Sequence, residues 1–277
     1  MAIIPEFMLN AVVALGEEDE RGNEYWIGTG FIVAKKAKDD PTRCKCFIIT
    51  NRHVVEGRAQ LLVRVNSCGA SFIKNYPLDL MNENGARKYS VHPDKEADVV
   101  AIQIVPNVLA GDEAIWDAID IDDHALTLAQ MEETGVAEGC LVYALGFPMS
   151  MVDDIKTPIC RLGCISRISD AFIRADENPN YLDDAQVFPG NSGGPINSRP
   201  EAASIKGTPF NSRANLIGIL SGYIPYHDDL ISAQTGMPMM VREENSGLTV
   251  VHPVDRIKEV VELEWERCVQ EYGEAIE

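Results

Sequence analysis

The chain has 277 residues, 45% of them hydrophobic and 24% charged, which is enough to bury one large core or two modest ones. With 43 acidic against 24 basic residues its net charge of −19 repels phosphate backbones and anionic headgroups, so nucleic acid and membrane surfaces are excluded as main partners. Seven cysteines, an odd number, point to free thiols in a reducing compartment, and no basic leader or long apolar run is present; a cytoplasmic location is expected. Cys44-x-Cys46 with Cys68 lacks a fourth ligand at zinc-site spacing, so neither metal nor other cofactor is expected.

In chain order, short apolar or alternating runs separated by polar turns predict strands at 8–15, 25–33, 46–50, 61–65, 71–73 and 99–104. Residues 105–138 break the pattern with acidic, helical or irregular stretches at 112–116 and 126–133, and connect two units. Strands resume at 141–145, 159–168, 171–174, 185–188, 214–223 and 248–251. Gly22-Asn23, Asn82-Glu83-Asn84-Gly85 and residues 176–184 are rich in turn formers and predict loops. From Val254 to Tyr272 the period changes: Ile257, Val260, Val261, Trp265 and Cys268 fall at helical spacing, predicting an amphipathic helix packed on the second unit.

Chemistry concentrates in Phe188-Pro189-Gly190-Asn191-Ser192-Gly193-Gly194-Pro195. A serine hydroxyl is a poor nucleophile unless a base takes its proton and N–H donors stabilise the oxyanion its attack creates. Glycines around Ser192 allow main-chain amides to approach closely. Of five histidines, His53 follows the strand 46–50 and enters a short turn, which suits a base. Asp98, at the mouth of the strand 99–104, could orient the imidazole, with Asp94 as a rival. Gly190-x-Ser192-x-Gly194 also fits a nucleophile elbow, but Pro189 interrupts the strand approach and Gly193-Gly194-Pro195 is poor helix material.

Taken together, Thr50-Asn51-Arg52-His53-Val54-Val55, Ala97-Asp98-Val99-Val100-Ala101 and Pro189 to Pro195 resemble the chymotrypsin-like serine proteases, especially their HtrA-like branch. The likeness extends through Gly28-Thr29-Gly30-Phe31-Ile32-Val33, Ala144-Leu145-Gly146-Phe147-Pro148 and Leu216-Ile217-Gly218-Ile219-Leu220, covering most of residues 8–260. It implies an all-β fold of two antiparallel six-stranded barrels with a C-terminal helix: residues 1–125 with the connecting segment, 126–253, and 254–277 packed on the second barrel. His53, Asp98 and Ser192 would meet in the cleft, with Gly190 and Ser192 N–H groups as the oxyanion hole. Asn191 stands where secreted members carry an activating aspartate, and no PDZ-sized segment follows the second barrel, so neither activation by cleavage nor PDZ control is carried over.

The resemblance further places a specificity pocket near Gln186, Ser221-Gly222-Tyr223 and Leu248-Thr249-Val250. No acid occupies position 186, which argues against a preference for Arg or Lys, and Tyr223 would favour small or aliphatic side chains. Residues 224–246 are a candidate lid loop. The function expected is therefore a serine endopeptidase acting on a polypeptide, with a regulatory protein as a further candidate partner. A catalytically silent protease-shaped binding module and a nonproteolytic serine hydrolase are the alternatives.

Overall fold

The computed structural model describes residues 4–67, 74–112, 114–152, 157–174, 180–201, 211–231 and 234–272. Cys68, the strand expected at 71–73 and residues 176–179 of an expected loop lie outside them.

In the first half, a one-turn helix α1 (Glu6–Asn10) precedes strands β1 (Val12–Glu18), β2 (Glu24–Lys36) and β3 (Cys44–Thr50), then the short helix α2 (Arg52–Val55). There follow β4 (Gln60–Arg64), β5 (Asn66–Ser67), β6 (Asn75–Asp79), β7 (Ser90–Val91), β8 (Val100–Ile104), helix α3 (Asn107–Gly111), β9 (Ala114–Ile115) and β10 (Ile119–Asp120). The main sheet runs β6-β4-β1-β2-β3-β8-β7, with β10 added in parallel to β2, and β5 pairs separately with β9. Its two ends, β6 and β7, are consecutive in the chain.

Where the resemblance implied a closed six-stranded barrel, the described residues of the first half form a half-barrel: no ladder joins β6 to β7, and only the connection 80–89 links them. The physical reason lies in the sequence. Asn82 to Gly85 forms a turn with Gly85 at φ 76°, Met81 bridges Arg87, and Pro93 follows β7 too closely for it to lengthen.

The second half is a closed barrel, in the order β11-β12-β13-β16-β15-β14. Helix α4 (Leu128–Thr134), opened by a Thr127–Gln130 capping box, leads into β11 (Leu141–Gly146), β12 (Ile159–Arg167), helix α5 (Ser169–Ile173), β13 (Tyr181–Asp184), β14 (Pro195–Ser198), β15 (Leu216–Ile231), β16 (Pro238–Pro253) and the long helix α6 (Val254–Tyr272).

Four local expectations fail here, the first being the loop expected at 176–184, whose end forms strand β13. Residues 171–174 were expected as a strand but lie in and just after α5, where Arg174 pairs with Asp170 one turn earlier and Phe172 N–H donates to Ile168. The strand expected at 185–188 sits four residues earlier as β13. In its place, side chains hold the extended chain: Thr249 Oγ1 donates to Ala185 O at 2.8 Å and Asn245 Nδ2 to Val187 O at 2.6 Å. Of the loop expected at 224–246, the described residues 225–231 and 238–245 are strand: β15 and β16 pair from Pro225↔Asn245 to Ile231↔Pro238, forming a two-stranded arm.

Three cores follow. The first sheet encloses Val13, Leu15, Ile32, Ile48, Leu61 and Ile102; the second barrel encloses Val142, Ile165, Tyr181, Ile217 and Val251. Between them Val12, Phe31, Ile49, Leu145, Phe147, Ile219 and the apolar face of α6 form a third, which joins the halves. Helix α6 was expected on the second barrel. It bridges both, because its acidic residues find partners in the first half: Glu264 accepts from Ser90 Oγ at 2.8 Å, Glu259 meets His92 at 2.6 Å, and Glu262 pairs with Lys35 at 2.9 Å. Among the described residues no helix is long and apolar enough to cross a membrane.

Candidate active site

Strand β3 ends at Thr50, and Asn51 turns the chain into α2, which places His53 at the rim of the cleft with half its side chain exposed. Asp98 arrives from the residues that lead into β8, the antiparallel neighbour of β3. His53 Nδ1 and Asp98 Oδ2 are 2.5 Å apart, and His53 N–H donates to Asp98 Oδ1 at 3.1 Å. Since ionised Asp98 can only accept, Nδ1 carries a proton, and in the neutral imidazole the lone pair is therefore on Nε2. The rival Asp94 is engaged elsewhere, with Arg256 at 3.1 Å.

Several groups hold Asp98. Ser221, expected only as a pocket residue, donates its hydroxyl to Oδ2 at 3.4 Å, and Asn51 Nδ2 donates to the Asp98 carbonyl at 2.7 Å. Burial raises the Asp98 pKa, but the hydrogen bonds and charge of His53 outweigh it, so the carboxyl titrates below its usual 3.8.

Behind it lies His252, 2% exposed, whose Nε2 accepts the Asp98 backbone N–H at 3.2 Å while Nδ1 meets Asn180 Oδ1 at 2.6 Å. Burial holds His252 neutral, with a pKa pushed down to about 4, and the Asp98 charge offsets only part of that effect. Sequence reasoning missed His252 as a supporting residue, since nothing local links position 252 to position 98.

The serine lies across the cleft on a built turn. Phe188 to Asn191 forms a type II turn closed by Asn191 N–H to Phe188 O at 3.0 Å, with Pro189 at its second position and Gly190 at its third, φ 97°. Pro189 O accepts from Met149 N at 2.7 Å, and Asn191 O accepts from Gly194 N at 2.9 Å. Gly193 also has positive φ, 85°; a Cβ there would lie 2.1 Å from Thr29 O and 2.3 Å from Thr50 Oγ1. The turn therefore packs directly on the residues leading to His53.

Thr29, the second missed residue, fastens it. Its N–H donates to Ser192 O at 2.9 Å, its hydroxyl donates to Gly190 O at 2.6 Å and accepts Phe147 N–H at 3.0 Å, and its carbonyl accepts from Thr50 Oγ1 at 2.8 Å. A signal existed in Gly28-Thr29-Gly30, but only the family likeness drew attention to it.

Among the described residues, Ser192 Oγ makes no hydrogen bond, to His53 or otherwise, and neither Gly190 N–H nor Ser192 N–H has a protein acceptor. Of the expected pocket residues, Gln186 is exposed; Ser221, Gly222 and Tyr223 are half-buried along β15; and a Cβ on Gly222 would meet nothing within 4 Å. Tyr223 packs against the second barrel core and donates its hydroxyl to Glu243 at 3.4 Å.

A closed β-barrel facing a second β-sheet, with a histidine–aspartate pair on one wall and a glycine-bounded serine on the other, is the architecture of the trypsin-like double-barrel proteins. Residues 28–200 match the family model described as the trypsin-like peptidase domain, and the chain belongs to that family. It is 26% identical over 207 residues to a probable periplasmic serine endoprotease, DegP-like, of Halomonas elongata. That match takes in 74% of this chain and 34% of the relative, so the chain spans about a third of the relative's length. A solved structure with likeness is the apo MamO protease domain of Magnetospirillum magneticum, at 17% identity and a TM-score of 0.49, covering 91% of this chain and 96% of that one.

Proposed function

We propose that the protein is a serine endopeptidase in which Ser192 is the nucleophile, His53 the base and Asp98 the group that orients His53. Ser192 Oγ attacks the peptide carbonyl carbon as its proton passes to His53 Nε2. The C=O electron pair moves onto oxygen, where the N–H groups of Gly190 and Ser192 receive it. Collapse of this intermediate breaks the C–N bond, and His53 gives its proton to the departing amine. Water then repeats the sequence on the acyl-enzyme, and Ser192 is regenerated.

The observation that carries this reading is the 2.5 Å contact between His53 Nδ1 and Asp98, which leaves Nε2 as the available base. Asp98 stays ionised throughout and stabilises the imidazolium that forms.

The substrate is a polypeptide whose scissile residue enters beside Gln186, Ser221, Gly222 and Tyr223. The open space beside Gly222 and the lack of an acid at 186 support uncharged side chains there. A cytoplasmic location is part of the proposal, supported by free thiols at all six described cysteines. A second reading, a silent binding module of protease shape, draws on the missing Ser192–His53 hydrogen bond, although such bonds commonly tighten only when substrate arrives.

Profiling of a peptide library separates the two readings. Wild-type protein should cleave, and Ser192→Ala and His53→Ala, both folded, should lose about 10³-fold or more in kcat/KM. Equal turnover by wild type and Ser192→Ala removes the assignment; a wild type that binds peptides without cleaving them selects the binding module.

A further inference from the structure

A groove of about 900 Å³ opens far from the cleft, between the start of β3, the end of β8 and the C-terminal half of α6. Its walls include Val105, Trp116, Trp265 and Val269, and its size suits a small organic ligand. The rim is unusually basic for so acidic a chain, but most of its cations are already neutralised. Lys35 and Lys38 pair with Glu262 at 2.9 and 2.5 Å, Lys36 with Asp120 and Asp123 at 2.7 and 2.6 Å, and Arg43 with Asp39 at 3.0 Å.

Lys45 differs. It lines the same groove at 8% exposure, and its ammonium lies 4.8 Å from the centroid of the Trp265 ring. Among the described residues, its Nζ has no hydrogen-bond partner and no carboxylate within ion-pair distance. The ring face compensates part of the lost hydration, yet a buried ammonium without an acceptor is costly, and an anion in the groove would relieve that cost.

Nearby, Gln103 Oε1, also lining the groove, is buried without a partner, while Gln103 N–H is taken by Glu264 at 3.2 Å. One uncompensated cation, one vacant acceptor and aromatic walls define the complementary ligand: a monoanion with an apolar body and one N–H donor.

We propose that this groove binds an apolar monocarboxylate bearing an N–H donor, the chemistry of an N-acylated apolar amino acid or of the free C-terminus of an apolar peptide. The carboxylate pairs with Lys45 Nζ, the N–H donates to Gln103 Oε1, and the apolar group packs against Trp265 and Trp116. The site stands apart from the proposed catalysis. Lys45 is the second residue of the strand whose far end delivers His53, roughly 20 Å away at about 3.3 Å per strand residue.

Calorimetric titration with N-acetyl-phenylalanine, N-acetyl-phenylalaninamide and the peptide Ala-Ala-Ala-Phe with a free C-terminus tests this. The acid should bind saturably and at least about tenfold more tightly than its uncharged amide, since a charge-assisted hydrogen bond is lost in the amide. Lys45→Met, which keeps the apolar stem, should abolish that difference; Lys45→Arg should retain it, and serves if the Met variant does not fold. Ser192→Ala should bind as wild type does. The tetrapeptide binding more tightly than the acyl amino acid identifies a peptide C-terminus as the source; the reverse identifies a free acyl amino acid. Equal binding of acid and amide, no saturation by either acid up to about 10 mM, or unchanged acid affinity in Lys45→Met would each overturn the proposal.

Discussion

His252 ties the fold to the proposed chemistry, and its titration can be read directly. An exposed histidine titrates near 6.5, whereas His252 in the fold titrates at about 4 because burial disfavours its charged form. As pH falls below 6.5 the unfolded chain takes up the proton first, so stability contributed by neutral His252 is present above pH 6.5 and is lost between 6.5 and 4. Each pH unit in that window is worth about 1.4 kcal/mol, so this residue removes about 2 kcal/mol of stability between pH 7 and pH 5. Asp98 does not confound the window, because its lowered pKa places its own loss below 3.8.

His252→Phe fills the same space without a proton to gain. It removes the acceptor from Asp98 N–H and costs about 1–3 kcal/mol at pH 7, but it should lack the His252 share of the pH slope. Urea unfolding at pH 7 and pH 5 is the assay, and the readout is the gap between wild type and variant, which should close by about 2 kcal/mol at the lower pH. Parallel curves for the two proteins would refute the reasoning, since they would mean that His252 is not held neutral by burial.

Two further outcomes follow from single residues. Thr29→Val leaves Gly190 O and Phe147 N–H without their partner, so it should cost about 1–3 kcal/mol per group and lower kcat more than it raises KM, while Thr29→Ser, which keeps the hydroxyl, should recover most of the loss. Asp183 is fully buried, both its oxygens lack partners among the described residues, and burial raises its pKa well above 3.8. Its stability contribution is therefore complete below pH 3.8 and falls by about 1.4 kcal/mol per pH unit above it until the folded carboxyl ionises. Asp183→Asn should raise the melting temperature at pH 7.5 more than at pH 4.5; equal shifts at the two values would show that Asp183 is ionised in the fold.

The long apolar runs at 46–50, 99–104 and 141–145 were legible because both faces of those strands are buried, and α6 was legible because its apolar face repeats at helical spacing. Shorter elements were not. β14 has four residues opened by a proline, and β13 carries Asp183 and Asp184, whose acidity reads as a loop although Asp183 faces the barrel core. The arm of β15 and β16 looked like a loop because the adjacent pairs Asp228-Asp229 and Glu243-Glu244 break the alternation of a strand, and its apolar residues Leu230, Ile231, Met240 and Val241 are exposed.

At the candidate site, residues embedded in local patterns were found: His53 after its strand, Asp98 before one, Ser192 among glycines. Thr29, Asn51 and His252 act through contacts between distant segments, and no local pattern encodes those. The approach of Ser221 to Asp98 was hidden for the same reason.

In the proposed mechanism Ser192 is a nucleophile activated by His53. Reaction of the purified protein with a fluorophosphonate probe, read by intact mass, tests it most directly. One adduct is expected on wild-type protein, none on Ser192→Ala and strongly slowed labelling of His53→Ala. Wild-type protein that stays unlabelled, or Ser192→Ala labelled at the wild-type rate, would contradict it.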